Sequence, residues 1–165
     1  MKDAPRESRK SPRKPPLVIG WRETVSLPDL GLEQFKAKID TGARTTALHA
    51  SDIRTDWIDD VEYVSFHPRH MGLAQARRVR ARIHARRPVR NTSGVPQERI
   101  VIRSHLHIAD RNFLIEISLA DRADMAFPMI VGRTAIRGHR LLVDAGRSFL
   151  TAPTPLLSDR KEPAK

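Results

Sequence analysis

Ala37-Lys38-Ile39-Asp40-Thr41-Gly42-Ala43 is the stretch on which the reading of this 165-residue chain turns. From Phe35 to Ile39 apolar and polar residues alternate with period two, the signature of a strand with one buried face. That strand delivers Asp40 into a tight turn at Gly42. Asp40 is therefore a candidate functional carboxylate, set at a strand end before a glycine. Thr41 carries a hydroxyl able to reach a facing loop. Gly42 is expected to approach the carboxylate and to adopt φ values closed to other residues. Ala43 is small enough for a crowded turn.

Outward from this turn the chain reads as strands. Residues 23–27, 61–66, 78–86, 98–108 and 112–119 carry strand patterning, and 141–143 with 148–150 close the series. Gly, Pro and Asn turns separate them, and the one good helix candidate is short, Arg133–Gly138. Many short strands with such turns predict an all-β barrel or sandwich. No internal repeat is evident. The folded domain is expected over residues 17–156. It follows a Pro-rich arm, residues 1–16, with six Lys/Arg against Asp3 and Glu7, which reads as disordered. Residues 157–165 read as a polar tail.

Asp40-Thr41-Gly42-Ala43 resembles the active-site loop of aspartic peptidases. The resemblance implies that Asp40 is the catalytic carboxylate, one of two held about 3 Å apart that cannot both ionise and so share a proton. It implies that the ionised member takes a proton from an attacking water while the protonated member polarises an amide carbonyl. Ile130-Val131-Gly132-Arg133 resembles the stretch preceding the C-terminal helix of retropepsins, the half-sized relatives of those peptidases. The segments 21–28, 36–50, 132–135 and 142–150 look like one bacterial and archaeal family, the retropepsin-like aspartic endopeptidases, which an older label calls ATP-dependent zinc proteases. The resemblance spans about Val18 to Leu150. It implies a closed β-barrel with one short C-terminal helix, in which Ile130 and Val131 pack beneath the catalytic loop and Gly132, before Arg133, lets strand and helix approach closely. It implies peptide-bond hydrolysis by a C2 homodimer in which Asp40 of each copy meets at the axis, because one Asp-Thr-Gly cannot make a dyad. Asp144-Ala145-Gly146 lacks the hydroxyl that ties two loops together, so Asp144 reads as a turn or salt-bridge residue. Asn91, Thr92, Ser93 and Gly94 form the tip of a hairpin that is the candidate flap. Arg44 and His49, inside the long motif, are candidate supporting residues behind the catalytic turn. Relatives often lie beside ATP-grasp ligases that attach glutamate, which makes such a ligase a candidate functional partner.

Composition narrows the alternatives. The absence of cysteine excludes disulfides, thiol catalysis and Cys-ligated zinc. No His-Glu-x-x-His is present, and His105 and His107 share a strand face without an evident third ligand other than Asp110. Neither nucleotide-binding glycine motif occurs, so no metal and no cofactor is expected. The formal net charge of +11 suggests an anionic partner. Eight arginines and no carboxylate lie between positions 69 and 90. They fit an acidic, glutamate-rich peptide, because guanidinium forks bind carboxylates in pairs of hydrogen bonds. Nucleic acid or the ribosome is the competing partner, disfavoured because that stretch has no aromatic residue to stack on bases. No apolar run marks a signal peptide or membrane span, and the expected location is cytoplasmic.

Overall fold

The computed structural model describes residues 13–69, 71, 77–90, 93–121 and 126–151. Ten strands and one short helix follow in order: β1 Leu17–Gly20, β2 Arg22–Leu27, β3 Leu32–Asp40, β4 Thr46–Ile58, β5 Val61–Pro68, β6 Val79–Arg90, β7 Pro96–Ile108, β8 Arg111–Ala120, β9 Met129–Gly132, α1 Arg133–Gly138 and β10 Leu141–Asp144. The fold is all-β with one short helix, as the strand pattern predicts. The basic arm up to residue 12 and the polar tail lie outside the described residues, as does His70.

The large sheet runs β2-β3-β9-β4-β5-β6-β7-β8, and two further pairings, β2 with β7 and β4 with β8, curl it almost shut. Closure removes edges that would otherwise template aggregation. Period-two patterning decides which side faces in. Along β3, Phe35, Ala37 and Ile39 are buried, and along β7, Ile102, Ser104, Leu106 and Ile108 are buried. These side chains meet Val25, Leu27, Leu48, Phe66, Ile117 and Met129 in one continuous core.

Two features depart from the sequence reading. Residues 46–58 form one long strand, β4, whose first half lies between β8 and β9 and whose second half pairs with β5. Asp59 and Asp60 turn that hairpin with φ of 48° and 62°, the left-handed pair that a two-residue hairpin needs. Residues 51–68 thus form a projecting hairpin, with Trp57 68% exposed near its tip. Residues 148–150 are not a strand: their backbone is tied to the start of β2, with the Phe149 amide donating to the Arg22 carbonyl at 2.8 Å.

β1 and β10 pair in parallel as a separate ribbon, with Gly20 opposite Asp144. β3 and β9 also pair in parallel, with Asp40 opposite Gly132. These two parallel pairs hold both Asp-x-Gly turns.

Candidate active site

Asp40 ends β3 half-buried, and its carboxylate is held by its own turn. Oδ1 accepts from the Gly42 amide at 3.0 Å and the Ala43 amide at 3.2 Å, and the Ala43 amide also bonds the Asp40 carbonyl at 3.3 Å. One carboxylate oxygen is thereby fixed by backbone donors, while Oδ2 has no hydrogen-bond partner among the described residues. Gly42 does not adopt a positive φ, contrary to expectation. The turn needs glycine there for space instead: a Cβ would sit 3.2 Å from Asp40 Oδ1, crowding the carboxylate out of its hydrogen bonds.

The loop is clamped from the β9 side. Arg133 donates its amide to the Ala43 carbonyl at 2.7 Å, and its Nη1 to the Thr41 carbonyl at 3.0 Å. The Thr134 amide and hydroxyl both donate to the Arg44 carbonyl, at 3.1 and 2.8 Å. Gly132 donates to the Thr46 hydroxyl at 3.0 Å. A Cβ on Gly132 would lie 2.4 Å from the Thr45 carbonyl carbon and 2.5 Å from its oxygen. Glycine at 132 therefore serves contact between β9 and the 43–46 backbone, where the sequence reading expects contact with the helix. Val131 is buried, Ile130 half-buried against Ala47 and Ala120, and Arg44 exposed. His49 is buried in β4, two positions beyond Ala47, with its amide bonded to the Pro128 carbonyl at 2.8 Å. Thr41 is exposed beside Asp40.

The same construction occurs a second time. Asp144 Oδ1 accepts from the Gly146 amide at 2.9 Å, and the Arg147 amide bonds the Asp144 carbonyl at 3.3 Å. Trp21, following Gly20, donates to the Arg147 carbonyl at 3.0 Å, as Arg133, following Gly132, donates to Ala43. A Cβ on Gly20 would lie 2.6 Å from the Arg147 oxygen. The sequence does carry this repeat, as Val18-Ile19-Gly20 with Val143-Asp144-Ala145-Gly146 against Ile130-Val131-Gly132 with Ile39-Asp40-Thr41-Gly42. It escaped the sequence reading because the glycine and aspartate halves swap order along the chain. Asp144 is a turn residue, with no ion pair among the described residues.

Glu23 was also missed. It is fully buried, and its carboxylate accepts from the amides of Gly20, Leu150 and Thr151 and from the Thr151 hydroxyl, at 2.7 to 3.3 Å. Alternation was the available signal, since Glu23 shares the inward parity of Val25 and Leu27.

Ser93 and Gly94 sit at the tip of the β6–β7 hairpin, Gly94 with φ of 77°, while Asn91 and Thr92 lie outside the described residues. The arginine-rich face of β6 is largely neutralised. Arg78 pairs with Asp52, Arg80 with Asp56, Arg86 with Glu62 and Glu98, and Arg87 with Glu116. The bond from Arg87, with the neighbouring charges of His84 and Arg103, holds the Glu116 carboxyl below its ordinary value despite partial burial. A face so paired offers few free guanidinium groups to phosphates. Among the described residues no three His, Asp or Glu side chains converge as metal ligands. His105, one of the two considered for zinc, has its Nδ1 2.8 Å from Asp29 Oδ2.

Comparison with known proteins now adds to this geometry. Residues 18–154 match the RimB-like family, described as retropepsin-like aspartic endopeptidase RimB. The chain belongs to this family. Among curated proteins, the RimB-like chain is 38% identical over 130 residues to a probable alpha-L-glutamate ligase of Parasynechococcus marenigrum. It is 36% identical over 129 residues to one of Desulfotalea psychrophila. These alignments take in 78% and 77% of this chain but 28% of each relative, so the chain spans under a third of their length. Among solved structures it resembles Lpg0085 of Legionella pneumophila, a DUF785 protein of unknown function. The TM-score is 0.68 at 24% identity, covering 82% of this chain and 98% of that one. That likeness supports the fold. Among the described residues no helix is long and apolar enough to cross a membrane.

Proposed function

We propose that this RimB-like protein is an aspartic-type endopeptidase that hydrolyses peptide bonds with a water activated by two Asp40 carboxylates, one from each subunit of a homodimer. The observation that carries the reading is the Asp40 turn. One carboxylate oxygen is fixed by two backbone amides, the other has no hydrogen-bond partner among the described residues, and the loop is clamped by Gly132 and Arg133. Such clamping supplies what the chemistry requires, a carboxylate held in one geometry while its proton moves.

In the reaction, the ionised Asp40 takes a proton from water as the water oxygen bonds to the scissile carbonyl carbon. The protonated Asp40 of the second copy donates to the carbonyl oxygen. Collapse of the tetrahedral intermediate breaks the C–N bond: the carboxyl that took the water's proton gives it to the leaving amine, and the other carboxylate takes a hydroxyl proton back from the diol, restoring the shared-proton pair. Ser93 and Gly94 belong to the hairpin that closes over the peptide in this scheme. Similarity to part of proteins named as probable alpha-L-glutamate ligases supports a glutamate-rich substrate and a functional link to such a ligase.

The test is cleavage of an unbiased peptide library by wild type and Asp40→Asn, each with and without chelator. Cleavage that survives chelator and vanishes in Asp40→Asn is the expected result. Activity retained by Asp40→Asn, or lost with chelator and restored by zinc, would refute the mechanism.

A further inference from the structure

Beside the Asp40 loop runs a groove of about 480 Å³ lined by Arg44, Arg133, Thr134, Arg137 and Gly138. Three guanidinium groups line it and no carboxylate does. None of the three arginines forms an ion pair among the described residues, whereas Arg78, just before β6, and Arg80, Arg86 and Arg87 within it are paired with carboxylates. Like charges gathered in one groove repel, and an anion seated among them relieves that repulsion while each guanidinium fork offers it paired N–H donors.

The walls of the groove are part of the catalytic loop's own clamp. Thr134 holds the Arg44 carbonyl through two hydrogen bonds, and Arg133 holds the Ala43 and Thr41 carbonyls. An anion in the groove would therefore meet the same residues, Arg133 and Thr134, that hold the Asp40 loop. We propose that Arg44 and Arg137, with Arg133 between them, form a specificity subsite that takes the ionised side-chain carboxylate of an acidic residue flanking the scissile bond. The inference rests on the homodimeric peptidase reading. Two-fold symmetry places one groove on each side of the shared dyad, so acidic residues are selected on both sides of the cut.

The test compares kcat/KM for paired peptides of equal length, one with glutamates flanking the scissile bond and one with glutamines there. Arg133 is left intact because it anchors Thr41. The variants are Arg44→Gln, Arg137→Gln, their double, and Arg82→Gln on the exposed face of β6 as the competing cation. Wild type is expected to favour the glutamate peptide. The double variant should lower the Glu/Gln ratio by about tenfold, the size of one charge-assisted hydrogen bond lost in binding. Arg82→Gln should keep the ratio. The preference should also weaken as salt is raised.

An unchanged ratio in the double variant overturns the inference while leaving the peptidase reading intact, as does a ratio lost in Arg82→Gln instead. Loss of the dimer by sedimentation, with the ratio unchanged in the dimer that remains, overturns it in favour of a subunit contact. Cleavage of neither peptide by wild type refutes the peptidase reading, and the subsite falls with it.

Discussion

Gly132→Ala is the substitution that most directly interrogates the clamp. The added methyl group would sit 2.4 Å from the Thr45 carbonyl carbon, 2.5 Å from its oxygen and 2.8 Å from the Thr46 nitrogen. All three are backbone atoms, so no side chain can swing aside. Reaching even 3.0 Å needs about 0.6 Å of separation between β9 and the 43–46 backbone. That movement pulls on the Gly132–Thr46 and Arg133–Ala43 hydrogen bonds, at 3.0 and 2.7 Å. Overpacking of this kind costs about 1–3 kcal/mol, and each strained hydrogen bond adds up to about 1 kcal/mol. A loss of about 3 kcal/mol in a chain of this size lowers Tm by about 6–12 °C. Gly138→Ala is the matched control, because a Cβ there meets nothing within 4 Å. Calorimetry of the two variants gives the stability term. Peptide cleavage at a temperature where both are folded gives the positional one, with about a hundredfold loss in Gly132→Ala if the loop moves by the better part of an ångström. Equal Tm values and equal rates in the two variants would refute the clamp.

Glu23→Gln replaces two acceptor oxygens by one and puts an amide NH2 against backbone donors. It should cost about 1.5–3 kcal/mol, and hydrogen exchange at Leu150 and Thr151 should quicken before global unfolding; unchanged protection there would count against the latch. Acidification should destabilise the fold through three groups. The Asp29 carboxyl is held below its ordinary value by the His105 amide, and the Glu116 carboxyl by Arg87. Burial against Phe113 holds His139 below its ordinary value too. In each case the unfolded state binds the proton more readily, so stability is full above the unfolded pKa and is lost as pH falls toward the folded one. The His139 part should therefore appear below about pH 6.5 and the carboxylate part below about pH 4.5. Urea titrations across pH, with His139→Gln and Glu116→Gln flattening their own windows, check this.

Much of the architecture was legible because strand patterning is local. Alternation along residues 35–39 and 98–108 places apolar side chains on one face regardless of what packs against them. The helix Arg133–Gly138 announces itself by following an apolar strand and a glycine. Asp40 was legible for the same reason, as a carboxylate at a strand end before a glycine. The 148–150 segment was misread because its alternating residues look like a strand, while its backbone donors go to Arg22 and Glu23.

The sequence by itself determined the strand class, the candidate carboxylate and the family resemblance, all of which rest on residue types a few positions apart. Only the tertiary structure decided that Gly132 makes room for the 43–46 backbone and that Gly20 and Asp144 rebuild the Asp40 turn. It alone decided that the β6 arginines are spent on neighbouring strands while Arg44, Arg133 and Arg137 line one groove. Those facts depend on segments meeting in space that lie about 12 to 29 residues apart for the paired arginines and about 90 to 130 apart for the rest. Parallel pairing and sheet closure set such contacts, and they leave no local periodicity to read.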